Sequence, residues 1–322
     1  MPDKPKVAFY WCASCGGCEE AVVDLAEEIL DVVAAVDIVF WPVALDFKRH
    51  DVDQMPNDSI LVTFLNGSIR TTEQEEMAHL LREKSRYLVA FGSCSHTGGI
   101  PGLANFFSRQ SILEQVFLHA PTTDNPDRIL PGCDGTDGRG DLPLPYFSEH
   151  VRSLDQVVEV DYYVPGCPPV PKIITRAVSV LLSGHPPEKG SVLAPEQALC
   201  TECPRKDSKP DKVAIKQFRR PQEVLIDETQ CLLAQGLLCL GPATRAGCEA
   251  PCVKGNMPCT GCCGAPGRVR DQGAKALSAI ASLIDSRDEE EIDHILDTIP
   301  DAAGTFYRYS LPASLLHNKC GV

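Results

Sequence analysis

Short apolar runs alternate with amphipathic segments in the first part of this 322-residue chain. The runs have the length and composition of buried strands, and they occupy 5–10, 36–41, 59–65, 87–94 and 157–167. Between the first two runs, apolar residues recur at a period of 3.6, which predicts a helix from about Cys18 to Val33. Strands that alternate with helices are typical of a parallel, doubly wound sheet, so we predict an α/β fold.

Further helices are indicated by their start and stop signals. A helix at 71–84 begins with a capping-box pair, Thr71 and Gln74, and a helix led by Pro171 is predicted to end at Gly184. Residues 272–299 are also predicted to be helical, because their apolar residues form a stripe and acidic residues precede it.

The composition changes after residue 185. From there the strand and helix signals are weak, Gly and Pro are frequent, and nine cysteines lie between 200 and 263. We do not expect such a segment to build an ordinary hydrophobic core, and metal ligation would organise it instead. We therefore predict two domains, 1–185 with the sheet and 186–322 with a loop-rich fold that contains some helix.

Charge and hydropathy exclude several classes of protein. The chain has 30 basic and 44 acidic residues and a net charge of −14, whereas proteins that bind nucleic acids are usually basic. No run reaches the 18 or so apolar residues that a membrane span needs. The first residues lack the charged-then-apolar pattern of an export leader, so we expect a cytoplasmic protein unless a partner carries it across a membrane.

Sixteen cysteines give the strongest chemical signal. A reducing compartment disfavours disulfides, so clustered thiols indicate metal. Zinc would explain the pairs CTEC and CTGC but not the other cysteines. Iron–sulfur clusters take four thiolates at variable spacing. Twelve cysteines fall into three groups of four: Cys15, Cys18, Cys94 and Cys167; then Cys200, Cys203, Cys231 and Cys239; then Cys248, Cys252, Cys259 and Cys262.

The first of these groups follows the predicted strands. Cys15 and Cys18 come after the first strand, and Cys94 and Cys167 end later ones. Ligands of open α/β sheets bind outside the carboxyl ends of the strands, so these four thiols are expected to converge. Glycines beside many of the cysteines would let the backbone approach a cluster closely. Three clusters in one small chain suit an electron relay, and no phosphate-loop or GxGxxG motif supports nucleotide binding.

Several motifs together resemble the small subunit of [NiFe] hydrogenases, most of all the methyl-viologen-reducing, F420-non-reducing type. They are CGGCEE, AFGSCSHTGGIPGL, VDYYVPGCPP, CTECPR, CLLAQGLLCLGPATRAGC and PCTGC, and they cover nearly the whole chain. The resemblance implies a flavodoxin-like N-terminal domain, and a C-terminal domain with two further clusters. It also implies that the nickel–iron centre belongs to a separate large subunit.

Residue by residue, the resemblance assigns the first group to a proximal [4Fe–4S] cluster, the second to a distal one and the third to a medial one. We call them the proximal, distal and medial groups. The best-known periplasmic members have His at the position of Cys200 and only three medial cysteines, whereas here Cys252 is a fourth. Both differences favour three all-cysteine [4Fe–4S] clusters of low potential, which suit a cytosolic acceptor such as a ferredoxin or a flavin protein.

The resemblance also implies partners. They are the nickel-containing large subunit, then a small iron–sulfur protein and a flavin-containing heterodisulfide reductase as acceptors. Three alternatives remain open. One is a related F420- or polysulfide-reducing hydrogenase. Another is a complex I-like iron–sulfur subunit, which would have one cluster and no segment like 200–263. The third is a redox sensor without turnover.

Five residues outside the three groups are interpreted one by one. Cys12 and Cys133 are interpreted as free thiols, and Cys320 lies in the C-terminal tail. Cys263 directly follows a ligand, so we do not expect it to join the same cluster. Glu20 lies beside the proximal group and is a candidate proton relay, although an acid is also favoured there by the helix dipole alone.

Two histidines and one charged segment complete the set. His96 and His185 are near cysteines in sequence, but each group already has four thiols, so neither is expected to be a ligand. The segment 204–220 has seven basic and two acidic residues in an acidic protein. It is either a solvated loop or a docking surface for an acidic electron acceptor.

Overall fold

The computed structural model of the chain describes residues 4–132 and 144–316. The strands are β1 (Lys6–Trp11), β2 (Asp37–Phe40), β3 (Ile60–Asn66), β4 (Ile69–Thr71), β5 (Ser85–Phe91), β6 (Phe147–Arg152), β7 (Tyr162–Val164) and β8 (Ser191–Val192). The helices are α1 (Gly17–Val23), α2 (Glu28–Ala35), α3 (Arg49–Asp53), α4 (Thr72–Lys84), α5 (Ser93–Thr97), α6 (Arg109–Glu114), α7 (Pro171–Leu182), α8 (Pro251–Lys254), α9 (Gln272–Ala281), α10 (Glu289–Asp297) and α11 (Ala302–Phe306).

Six of these strands form one parallel sheet in the order β2-β1-β3-β5-β7-β8. The remaining two, β4 and β6, pair with each other in antiparallel orientation. The chain moves outward in one direction from β1 to β2 and in the other direction from β1 to β3, which is the strand order of flavodoxin-like folds. The predicted parallel, doubly wound α/β fold is confirmed.

Successive residues of the central strands pack on opposite faces of the sheet, as the pleat requires. Val7 and Phe9 of β1 are buried with residues of α1 and α7, whereas Ala8 is buried with residues of α4. Because both faces are covered, the strands are apolar throughout rather than alternating, which is why the sequence shows them as continuous apolar runs.

Four predicted elements have different bounds in the structure. The helix predicted from Cys18 to Val33 is divided into α1 and α2, because Ala26 adopts a left-handed backbone with φ 51°. The helix predicted at 272–299 is divided into α9 and α10, and the run 157–167 contains only the three-residue strand β7. Cys94 lies in the short helix α5 rather than at the end of a strand. The capping box at Thr71 and the end of α7 before Gly184 are as predicted.

The region after β8 has little regular structure but a substantial core. Short helices and single 3₁₀ turns alternate there, and their apolar residues form one buried cluster that extends from Leu199 to Leu311. The expectation that this region lacks an ordinary core is therefore wrong. Many of its apolar residues, such as Leu233 and Leu237, come from single turns and loops, which leave no periodic signal in the sequence. Two thiols, Cys239 and Cys259, belong to the cluster.

The two regions are also joined. β8 pairs with β7, so the sheet extends beyond the boundary predicted between residues 185 and 186, and the two-domain division stays a prediction. Near the other end, Pro312 packs against Gly98 and Gly102, where an added Cβ would lie 2.2 and 2.4 Å from the proline ring. The backbone N–H of Gly99 donates to Tyr309 O at 3.1 Å. Among the described residues, no helix is long and apolar enough to cross a membrane.

Candidate metal centres

The proximal group assembles at the carboxyl edge of the sheet, as predicted. Cys15 lies in the loop after β1 and Cys18 in α1, Cys94 lies in α5 after β5, and Cys167 follows β7. The Cys18 thiol is within electrostatic range of the other three, and Cys94 interacts with Cys15 and Cys167. Cysteines that are far apart in the sequence are thus brought together by strands that all end at one edge.

Burial changes the acidity of these thiols. Desolvation, followed by the neighbouring thiols, raises the pKa of Cys94 to about 12 and that of Cys167 to about 11. Cys15 is exposed, so the site is open on one side. Cysteine binds metal as a thiolate, so metal binding at this site would release protons from these buried groups.

Glycines leave the space that the proximal sulfurs occupy. A Cβ on Gly92 would lie 2.3 Å from Cys18 Sγ, and one on Gly99 would lie 2.5 Å from Cys94 Sγ. Both glycines have positive φ, 84° and 55°, which other residues rarely adopt. The backbone at this edge is therefore shaped around the sulfur atoms, and the donor set fits a thiolate-bound iron–sulfur group.

The distal group is also brought together. Cys200 interacts electrostatically with Cys239, Cys203 and Cys231, and Cys239 interacts with Cys231 and Cys203. Desolvation is the main reason that the pKa of Cys200 is raised to about 11. A Cβ on Gly241 would lie 3.3 Å from Cys200 Sγ, so a glycine again stands beside the sulfurs.

The medial group surrounds a cavity of about 300 Å³. Its lining includes six cysteines: Cys167, Cys248, Cys252, Cys259, Cys262 and Cys263. Cys252 interacts with Cys262 and Cys248, so three of the four predicted medial thiols are close together. Cys259 is turned toward Thr244, with 3.5 Å between Sγ and Oγ1, and stands between the medial and distal groups.

Contacts between the groups arrange them in a row. The Cys262 sulfur lies within hydrogen-bonding reach of the Cys167 backbone N–H, which joins the medial group to the proximal group. The Cys259 backbone N–H donates to Cys239 Sγ at 3.3 Å, which joins the medial group to the distal group. Ser93 strengthens the first junction, because its hydroxyl lies within hydrogen-bonding distance of the carbonyl oxygens of both Gly166 and Cys262 and can donate to either. The order along the row is proximal, medial, distal.

Within 4–132 and 144–316, no three Cys, His, Asp or Glu side chains surround a point where one metal ion would fit. A single zinc ion needs its ligands at about 2.0 to 2.3 Å, whereas a four-iron cluster holds its thiolates farther apart.

The remaining cysteines and histidines have separate places. Cys12 is buried in the core under the sheet and interacts with Glu73 rather than with the proximal thiols. Cys133 and Cys320 lie outside the described residues. His185 is exposed, and the His96 ring packs 4.7 Å from that of Tyr163. Burial, helped by the nearby Arg245 guanidinium, lowers the pKa of His96 to about 4.

Two adjacent acids follow the proximal loop and differ in environment. Glu20, the candidate proton relay, is exposed, and its role stays a prediction. Glu19 is buried and accepts hydrogen bonds from Trp41 Nε1 and, at 2.6 Å, from Asn66 Nδ2. Burial raises the pKa of Glu19, and these two donors act against the rise. The sequence could not distinguish the two acids, because both lie in the first turn of α1.

Comparison with known proteins agrees with this geometry. Residues 15–181 match the family model described as NADH ubiquinone oxidoreductase, 20 Kd subunit. The chain is 38% identical to the iron-sulfur subunit of the F420-non-reducing hydrogenase of Archaeoglobus profundus, with 98% of each chain covered. It is 36% identical to the corresponding chain of the Methanothermobacter thermautotrophicus F420-non-reducing hydrogenase, with 99% of this chain and 98% of that one covered. A solved [NiFeSe] hydrogenase of Desulfovibrio vulgaris Hildenborough shares the fold, at 17% identity and a TM-score of 0.53, covering 82% of this chain and 94% of that one.

The chain therefore belongs to the NADH ubiquinone oxidoreductase 20 kDa subunit family, the class that the sheet and its thiol-bearing edge define. Within that class, its relatives over the whole chain are small subunits of [NiFe] hydrogenases of the F420-non-reducing type. The resemblance found in the sequence is confirmed. The chain is a subunit of an oxidoreductase, and membership implies iron–sulfur clusters and a large-subunit partner.

Proposed function

We propose that this chain transfers electrons between the large subunit of a [NiFe] hydrogenase and a cytoplasmic acceptor. The proximal, medial and distal groups would each hold one [4Fe–4S] cluster. The observation that carries the proposal is the row of thiol groups, joined by Cys167 with Cys262 and by Cys239 with Cys259. When bound, the clusters would supply one-electron redox centres. This chain's part is to hold the thiolates in order and to exclude water from them.

The proximal end of the row suits contact with the large subunit. Cys15 is exposed there, and Trp11, the last residue of β1, is 40% exposed beside it. Val43 and Leu45, which follow β2 at the same edge of the sheet, are also exposed apolar residues. Exposed apolar patches of this kind mark protein–protein interfaces, and tryptophan is enriched among the residues that contribute most to binding.

The distal end suits an acidic acceptor. Cys203 and Cys231 are half-buried, and the segment 204–220 follows directly. Within that segment Arg205 is buried, and Lys212 is paired with Asp285. The other basic residues are exposed and form no ion pair with another described residue: Lys206, Lys209, Lys216, Arg219 and Arg220.

One of these lysines lies close to the distal thiols. The charge of Lys209 acts on Cys200 and opposes the rise in its pKa that burial causes. A positive surface beside an electron exit steers an acidic redox protein toward it. We therefore place the small iron–sulfur protein here, with the flavin-containing heterodisulfide reductase beyond it.

Metal analysis of the native complex tests the main proposal. The complex would be purified without oxygen through a tag on this chain. Nickel, together with about twelve iron atoms assignable to this subunit, is expected from three four-iron clusters. Iron without nickel would mean that the chain serves another enzyme, and zinc in place of iron would remove the basis for the clusters.

Charge reversal tests the acceptor surface. Lys206→Glu with Lys209→Glu should slow hydrogen-dependent reduction of an acidic ferredoxin about tenfold at low salt, because the electrostatic steering is lost. Reduction of methyl viologen, a small dication, should not slow. Lys275→Glu, at an exposed position of α9, is the matched control and should leave both rates unchanged. Equal ferredoxin rates in the wild type and the double variant would place the acceptor elsewhere.

A further inference from the structure

One buried arginine connects the loop of the distal group with the helix of the medial group. Arg205 is 6% exposed, and its two terminal nitrogens bind different parts of the chain. Nη1 donates to the backbone carbonyls of Asp227 and Gln230, at 3.2 and 3.3 Å. Nη2 donates to the carbonyl of Val253 at 3.3 Å and to Asn256 Oδ1 at 2.7 Å. The guanidinium therefore joins two segments that are otherwise separate in the sequence.

Each of these segments carries a predicted cluster ligand. Gln230 directly precedes Cys231 of the distal group, and Val253 directly follows Cys252 of the medial group in α8. A guanidinium is planar, and its N–H donors point in fixed directions. The hydrogen bonds of Arg205 therefore hold the distal loop and α8 at a set separation.

The charge of Arg205 has no carboxylate beside it. All four of its acceptors are neutral oxygens, and no Asp or Glu in the described part of the chain forms an ion pair with it. The Asp227 carboxylate accepts from Thr229 instead and interacts with Arg205 at longer range. A buried charge without a counter-charge is costly, and the thiolates of two neighbouring clusters would supply negative charge.

We propose that Arg205 positions the distal and medial clusters relative to each other and that its buried positive charge raises the reduction potentials of both. The inference rests on the proposed function, because it requires both clusters. Reduction adds an electron to a cluster, and a fixed positive charge nearby stabilises that state. Arg205 contacts the chain next to a ligand of each cluster, so both potentials should respond. The proximal cluster, held by the sheet region, should not respond.

Two substitutions in the intact complex separate the charge of Arg205 from its hydrogen bonds. Arg205→Gln removes the charge and keeps two N–H donors, and it should lower two of the three midpoint potentials in an EPR-monitored redox titration. At a fixed solution potential, the ratio of reduced to oxidised cluster should fall about threefold to tenfold for each, and tenfold corresponds to about 59 mV for a one-electron couple. Arg205→Lys keeps the charge but not the planar fork. It should keep all three potentials, while the amides of 227–231 and 253–256 should exchange faster.

A surface lysine supplies the control. Lys212→Met removes a positive charge from the same segment, but Lys212 is exposed, so water and salt screen its charge and all three potentials should stay unchanged. Unchanged potentials in Arg205→Gln, or an equal fall in both Arg205 variants, would overturn the inference. Loss of iron from both variants would also overturn it, because Arg205 would then be a structural anchor alone, whereas loss from Arg205→Gln only would support the need for the charge. Absence of cluster signals in the wild type would instead contradict the proposed function itself.

Discussion

The sheet region and the region after β8 are both built around buried apolar residues, but their backbones are held differently. In residues 6–192 the strands of a parallel sheet fix one another through ladders of hydrogen bonds. In residues 199–316 short helices and single turns surround a core that includes two thiols, Cys239 and Cys259. A core alone does not define a loop-rich backbone, so the second region should depend on what its cysteines bind.

Removal of iron should give the largest contrast between the regions. Chelation of the iron without oxygen should strongly reduce the protection of backbone amides from exchange in 199–263. In our proposal the iron–sulfur clusters organise these loops, so the loops should open when the clusters are removed. Amides of β3 and β5 should stay protected, since their ladder does not involve the thiols. Hydrogen exchange followed by mass spectrometry measures both regions in one sample. Equal loss of protection in the two regions would contradict the contrast.

The proximal site should depend on the glycines that lie against its sulfur atoms, and Gly92 tests this. Gly92→Ala places a Cβ 2.3 Å from Cys18 Sγ. We therefore expect this variant to lose about four iron atoms, which is the content of one [4Fe–4S] cluster. Gly184→Ala is the matched control, because Gly184 also has positive φ, 76°, but no atom within 4 Å of an added Cβ. Gly184→Ala should lower the free energy of unfolding by about 1 kcal/mol through backbone strain, and it should leave the iron content unchanged. Full iron content in Gly92→Ala would show that the edge adapts.

One buried leucine in each region allows the stability of the two cores to be compared directly. Leu88 in β5 and Leu237 after β8 are both 0% exposed. Replacing either leucine by Ala should lower the free energy of unfolding of the iron-loaded protein by about 2–5 kcal/mol. After iron removal, only Leu88→Ala should still lower the thermal unfolding midpoint, because the core around Leu237 should already be disrupted. A retained effect of Leu237→Ala without iron would show that the second core is stable by itself.

A smaller and pH-dependent effect is expected inside the sheet region. Asp161 is buried beside Arg82 and Lys189, with 2.5 Å between charged atoms in each pair. Burial alone would raise the pKa of Asp161, but Lys189 and Arg82 outweigh it and hold the pKa below its ordinary value. Asp161→Asn should lower the free energy of unfolding by about 2 kcal/mol at neutral pH, because both ion pairs are lost. The loss is no larger because both cations are partly exposed, so water solvates them in place of the carboxylate.

The sign of that pH dependence follows from the lowered pKa. The contribution of Asp161 is complete above its unfolded-state pKa of about 3.9 and is lost as the pH falls through the lower folded-state value. The difference in unfolding temperature between wild type and Asp161→Asn should therefore shrink below about pH 4. A difference that grew on acidification would show that the ion pairs do not stabilise the fold.

The sequence was sufficient for the sheet and for the proximal group. The strands are buried on both faces and read as apolar runs, and Cys94 and Cys167 follow two of them, so convergence at one edge could be predicted. The break at Ala26 could not be predicted, because alanine is a good helix former and rarely adopts the left-handed backbone that this exposed residue has.

The region after β8 was harder to predict from sequence. Its core is formed by side chains such as Leu233 and Leu237, which are brought together by turns and not by a period. The place of Cys263 in the lining of the medial cavity could not be predicted, because adjacency to Cys262 in the sequence does not determine it. Similarly, Glu19 is buried and Glu20 is exposed because of the way α1 packs against the sheet, and the sequence around these two residues does not reveal that packing.

The packing of Pro312 against Gly98 and Gly102 has a consequence for the order of synthesis. The four proximal cysteines have all been made once the ribosome has passed residue 167. The loop after Cys94 nevertheless acquires its final packing only when Pro312, far beyond Cys167 in the sequence, has emerged. Until then the proximal edge of a nascent chain lacks one of its walls, and completion of that edge reports that the region after β8 has been made as far as Pro312.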